Sequence, residues 1–172
     1  MTADEILYIF DQCHTDKGSG HCYHGIYAAI PSNINSIFEI GVDNGGSIDS
    51  WLNIFPQAHV YGIDIKLPKV KGHERVTLIH SDICDFDPAS YPKFDVIVDD
   101  GSHIVSDVLL AWDKLKSHFT STYIIEDVVQ IDPLVSHISK SLKSMPGTWS
   151  LEVIQTGNRY PDDRVIRITN GI

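Results

Sequence analysis

The chain has 172 residues, 42% hydrophobic and 21% charged, a balance that suits a soluble globule and excludes a disordered, collagenous or coiled-coil protein. A chain of this length reads as one domain, 1–172, able to bury about 70% of its unfolded surface without a disulfide or metal staple. The net charge of −10 repels polyanions and argues against nucleic acid, three cysteines (Cys13, Cys22, Cys84) form no even framework and point to a reducing cytoplasm, and no window approaches the roughly 20 apolar residues of a membrane span.

Residues 3–11 read as a short amphipathic helix with Ile6, Leu7 and Phe10 on one face. Residues 12–35 are rich in Gly, His and Tyr and read as loop with a short helix near 25–30, so that 1–35 forms an N-terminal helix and lid segment. The chain then alternates. Apolar runs at 36–40, 59–63, 75–80, 94–98 and 122–125 are buried strands. Helices are expected at 47–55, at 102–119 with Val105, Val108, Leu109, Trp112, Leu115 and Phe119 on one face, and at 133–145, where Pro133 suits a first turn. Runs at 149–154 and 165–168 are two last strands, with a hairpin across 155–164. Short strands alternating with helices mean parallel strands joined by crossovers, and a terminal hairpin adds an antiparallel edge. The expected architecture is a three-layer, doubly wound, Rossmann-like α/β fold.

In such sheets the ligand lies beyond the carboxyl ends of the strands. Those ends are polar here. The first strand runs into Gly41, Asp43, Gly45, Gly46 and Ser47, a turn that lets a ligand approach the backbone and aims the next helix's positive end at it. The spacing is not G-x-G-x-x-G, and a ligand-free tight turn is the alternative. Asp64, 23 residues beyond Gly41, is placed to hold ribose hydroxyls. Glu39 and Asp43 would repel a dinucleotide's pyrophosphate but favour the sulfonium and ammonium of S-adenosylmethionine. Asp82, after the third strand, suits an adenine amino group. The cofactor set is therefore Lys17, Tyr23, Glu39, Gly41, Gly45, Ser47, Asp64 with Ile65, Asp82 with Ile83, and Asp99. Lys17 is expected to pair with the cofactor carboxylate, against the alternative of a solvated loop lysine; for Tyr23 the alternative is packing.

Neighbouring fourth and fifth strands end in Asp99-Asp100 and Glu126-Asp127. Carboxylates so crowded need a cation or shared protons. Oxygen ligands suit Mg²⁺ or Mn²⁺, and Asp100, Glu126 and Asp127 are the expected ligands, with helix capping the alternative for Asp99 and Asp127. His103 stands on the same rim and can serve as a general base, or be an ordinary surface histidine. Together these groups suit methyl transfer: the cation acidifies an acceptor hydroxyl, His103 takes the proton, and the oxygen attacks the sulfonium methyl. Cys13, His14, His21, Cys22 and His24 match no standard zinc spacing and read as part of the lid.

The segments TDKG…H.Y..Y (15–27), FEIGVDNGGSIDSW (38–51), FPQAHVYGIDI (55–65), FDVIVDDGSH (94–103) and IIED (124–127) resemble class I S-adenosylmethionine-dependent methyltransferases. More narrowly, they resemble the group of mycinamicin-type macrolide sugar O-methyltransferases and cephalosporin hydroxylase-like proteins. The resemblance runs over about residues 13–168. It implies a seven-stranded sheet ordered 3-2-1-4-5-7-6, one strand antiparallel. It implies Mg²⁺ on Asp100, Glu126 and Asp127, His103 as base, and cofactor contacts from Glu39, Gly41, Ser47, Asp64 and Asp82. It also implies a sugar hydroxyl, on a glycan or a glycosylated small molecule, as acceptor. Against this group the chain reads as short, and the large N-terminal extension with which macrolide-type members shape the acceptor pocket and oligomerise is not expected in it. A homo-oligomer and a domain of a larger glycan-modifying protein are both open. The competing readings are an NAD-type oxidoreductase and a non-catalytic nucleotide-binding module on the same fold.

Overall fold

The structure, a computed structural model, describes residues 1–69, 72–157 and 159–171. Thr2 opens the first helix, α1 (Ala3–Gln12), with a capping box: its hydroxyl accepts the Glu5 N–H and the Glu5 carboxylate accepts the Thr2 N–H. A short helix, α2 (His24–Ala28), precedes β1 (Ser36–Ile40), α3 (Gly46–Ile54), β2 (His59–Asp64), β3 (Val76–His80), β4 (Phe94–Asp99), α4 (Val105–Leu115), β5 (Phe119–Ile125), α5 (Ile131–Leu142), β6 (Thr148–Gln155) and β7 (Arg164–Gly171). The strand order is β3-β2-β1-β4-β5-β7-β6. The first five strands pair in parallel, and β7 runs antiparallel to both β5 and β6. This is the sheet expected. Its hairpin across 155–164 contains position 158, which lies outside the described residues.

Side-chain alternation along the strands divides the core in two. Ile37, Val60, Val96, Val98 and Ile124 face a cluster with Phe10 of α1, Tyr27 of α2 and Trp51 of α3. Phe38, Ile40, Ile97, Tyr123 and Ile125 face the other side, with Trp112 and Leu115 of α4 and Leu134 and Ile138 of α5. Among the described residues, no helix is long and apolar enough to cross a membrane.

The helix expected over 102–119 is shorter at both ends. His103 takes a left-handed backbone (φ 58°) and Ile104 is the extended N-cap, so α4 begins only at Val105. Phe119 continues the helical apolar spacing but belongs to β5, in register with Phe94. Its ring packs against Trp112, Tyr123 and Trp149, and that burial outweighs the local period. The helix expected over 133–145 begins earlier, at Ile131, with Pro133 in its first turn.

The strand ends are level. Ile40 pairs Ile63 on one side and Asp99 on the other, and Asp99 pairs Ile125. The residues that follow, Gly41, Asp64, Asp100 and Glu126, therefore emerge along one edge of the sheet.

Candidate active site

The turn after β1 is built around close backbone contact. Gly41 sits at φ 83°, and a Cβ there would lie 2.0 Å from the Asp100 carbonyl oxygen. Only glycine lets the ends of β1 and β4 come this near. Asp64 braces the turn from β2: its Oδ2 accepts the N–H groups of Val42 (2.7 Å) and Asp43 (3.2 Å), and its Oδ1 accepts that of Lys66 (2.8 Å). Asp43 lies at φ 42° and Gly45, the N-cap of α3, at φ 92°.

A cleft of about 1200 Å³ opens over this turn and runs along the strand ends. Of the residues read from sequence, Gly41, Ser47, Asp64, Ile65, Asp82 and Ile83 line it on the β1–β3 side. Asp99, Asp100, His103 and Asp127 line it on the β4–β5 side. Asp82 spends one oxygen on the Cys84 N–H (2.9 Å), a tight loop contact. Asp99 is 4% exposed, one of its oxygens has no hydrogen-bond partner, and burial pushes its carboxyl up to about 7.

Five of the residues assigned from sequence are placed elsewhere. Gly45 is buried and outside the cleft lining. Glu39 lies behind the turn, fully buried, accepting from Ser47 Oγ (2.7 Å) and Trp51 Nε1 (3.1 Å), and burial pushes it up to about 7. Lys17 does not face the cleft. It is 1% exposed, its ammonium donates to Asp100 and Glu126, and it stands 3.6 Å from Glu39. Burial would lower it, but the charges of Asp100, Glu126 and Glu39 hold it well above the usual lysine range. Tyr23 is buried too; its hydroxyl donates to the Asp127 carboxylate and accepts the Asp127 N–H at 3.3 Å. Glu126 is 2% exposed, with one oxygen on Lys17 and the other on the Tyr27 hydroxyl (2.5 Å).

Asp100, His103 and Asp127 converge, each with a ligand atom within 4.8 Å of the others. His103 Nε2 lies 3.7 Å from Asp127 Oδ2. The two carboxylates, with Glu126 behind them, offer the oxygen ligands that suit a hard divalent cation, and the imidazole stands beside them. His103 (φ 58°) and Asp127 (φ 52°) both hold left-handed backbone, which costs of order 1 kcal/mol or more per residue. Such strain persists where the surroundings dictate a side chain's direction.

Cys13 and Cys22 join no metal-type cluster among the described residues. His21 instead stacks on Tyr23 and pairs with the buried Asp163 at 3.0 Å. Sequence reading missed Lys66 and Lys69, from the β2–β3 loop, and Val108 and Ala111, which form an apolar patch of the cleft wall. Position directly after β2 marked the lysines. Nothing in the helical pattern told Val108 and Ala111 apart from ordinary core.

A solved relative overlays this arrangement of strands and turns. The MycE methyltransferase of the mycinamycin biosynthetic pathway, determined with Mg, SAH and mycinamycin VI, superposes with a TM-score of 0.75 over 96% of this chain and 53% of its own, at 22% identity. The fold is that of a class I S-adenosylmethionine-dependent methyltransferase. No family model matches the chain. In sequence it is similar to the mycinamicin VI 2''-O-methyltransferase of Micromonospora griseorubida, 32% identical over 106 residues, 54% of this chain and 27% of the relative. It is also similar to the 8-demethyl-8-alpha-L-rhamnosyl tetracenomycin-C 2'-O-methyltransferase of Streptomyces olivaceus, 30% identical over 135 residues, 66% of this chain and 35% of the relative. The matched stretches thus cover about a quarter to a third of these methyltransferases.

Proposed function

We propose that this class I methyltransferase fold carries S-adenosylmethionine-dependent O-methylation of a sugar hydroxyl on a glycosylated small molecule or glycan, assisted by a divalent cation. The observation that carries the reading is the convergence of Asp100, His103 and Asp127 on one wall of the cleft whose other wall is the glycine turn. The sugar O-methyltransferase relatives support the acceptor class.

The cofactor supplies an electrophilic methyl group, and a divalent cation held by Asp100 and Asp127, with Glu126 adjoining, supplies positive charge that acidifies an acceptor hydroxyl. His103 takes the hydroxyl proton. Its exposed ring, 38% accessible, leaves an acceptor room to reach Nε2, and the Asp127 carboxylate stands 3.7 Å away. Gly41 and the buried face of Ser47 let the cofactor lie against the backbone of the turn, and Asp99 offers a carboxyl toward its cationic end. Charge is neutralised as the methyl moves, so the chain's task is to align and deprotonate. The three free cysteines suit a reducing cytoplasm, which is the location proposed.

Calorimetric titration with S-adenosylmethionine, S-adenosylhomocysteine and NAD, with and without Mg²⁺, tests the proposal. Micromolar binding of both adenosyl ligands and none of NAD is expected. A folded protein that binds NAD, or neither adenosyl ligand, would overturn it.

A further inference from the structure

Lys17 has an unusual position for a lysine. Its side chain is 2% exposed, and its ammonium contacts Asp100 and Glu126 and stands 3.6 Å from Glu39. The Glu39 oxygen that faces it has no hydrogen bond. Among the described residues, the ammonium is the positive charge in direct contact with two carboxylates, Glu126 buried and Asp100 opening on the cleft, and it stands near a third, the buried Glu39. The segment around it is held firmly: the Lys17 carbonyl accepts the Tyr23 N–H at 2.9 Å, and the Gly18 carbonyl accepts the Cys22 N–H at 2.8 Å. A buried ammonium without acids, or buried acids without a cation, would each be strongly destabilising.

We propose that Lys17 is the resident cation of the acidic rim, a positioning residue that assembles Asp100 and Glu126 before any divalent ion arrives and weakens the rim's hold on that ion. The proposal rests on the divalent-cation reading above. Two consequences follow from charge alone. The protein folds without metal, because the ammonium already offsets part of the rim's repulsion. Removing the ammonium leaves a more negative seat, so a divalent ion binds more tightly. A lysine that served only as packing would be replaced by methionine, of similar length, with no change in Mg²⁺ affinity.

The experiment is thermal unfolding in EDTA and in millimolar Mg²⁺, with Mg²⁺ and S-adenosylhomocysteine titrations, on wild type, Lys17→Met and Lys17→Met/Glu39→Gln. Wild type is expected to unfold cooperatively in EDTA with little change on adding Mg²⁺. Lys17→Met should lose thermal stability in EDTA, recover much of it in Mg²⁺, and bind Mg²⁺ about tenfold more tightly or better. The double variant, with one fewer buried negative charge, should be more stable in EDTA than the single. Unchanged or weaker Mg²⁺ affinity in Lys17→Met overturns the proposal. So does failure of that variant to fold even in Mg²⁺, or a double variant less stable than the single. If wild type binds Mg²⁺ and the variant gains nothing, this proposal alone fails. If neither takes up Mg²⁺, the divalent-cation reading fails with it. The S-adenosylhomocysteine titration reports separately on the cofactor reading.

Discussion

Asp127 holds a backbone angle that a carboxylate residue seldom adopts, φ 52°, and Tyr23 grips it twice. The phenol donates to the carboxylate and accepts the N–H of the same residue, so Asp127 Oδ2 is left facing His103. Tyr23→Phe removes both contacts and should cost about 1–2 kcal/mol of stability, measured by denaturant unfolding. S-adenosylhomocysteine affinity should hold, because Tyr23 lies outside the cleft lining; a large loss would return Tyr23 to the cofactor site. His103→Ala should leave cofactor affinity intact and lower methyl transfer about 100-fold or more, scored with a sugar acceptor once one is found. Transfer near the wild-type rate would remove His103 as the base. The residues of the rim were legible in sequence because DDGSH and IIED put acids at two strand ends. The pairing of Lys17 was not, because a lone lysine in a glycine-rich loop looks the same whether it meets solvent, a ligand or a buried carboxylate.

At the scale of elements, the turn after β1 decides whether the cleft exists. Gly41→Ala would put a methyl 2.0 Å from the Asp100 carbonyl on a backbone at φ 83°. The expected cost is about 3 kcal/mol or more, read as a fall in unfolding midpoint and soluble yield. A stable Gly41→Ala protein would show that the β1 and β4 ends can part. The parallel strands were legible as short apolar runs that end in a glycine after β1 and in acids at or after β2, β4 and β5, although β5 starts three residues earlier than its apolar run. Helix ends were less so. The stretch from Ser102 to Phe119 keeps a helical apolar rhythm from end to end, yet the left-handed His103 and the pairing of Phe119 with Phe94 are set by the rim and the sheet. Local pattern carries no trace of either.

For the whole molecule, the buried acids make stability depend on pH. Glu39 is raised from 4.5 to about 7 and Asp99 from 3.8 to about 7, each by burial. The folded state therefore keeps protons that the unfolded chain has released, and stability falls as pH rises through that window. Lys17 is charged in both states there and adds no slope. Thermal midpoints of the ligand-free protein should fall from pH 5 toward about 7, and Glu39→Gln should flatten the fall. A midpoint that rises over the same window in wild type would mean these carboxyls ionise freely. The topology of the rim has a further consequence, in time. Lys17 meets Glu126 across 109 positions and Tyr23 meets Asp127 across 104. As a nascent chain leaves the ribosome, the N-terminal segment emerges long before the strands whose acids it must clasp. Closing such long loops is slow. The rim is therefore among the last parts of the protein to form, and a half-made chain holds its acids and their lysine apart.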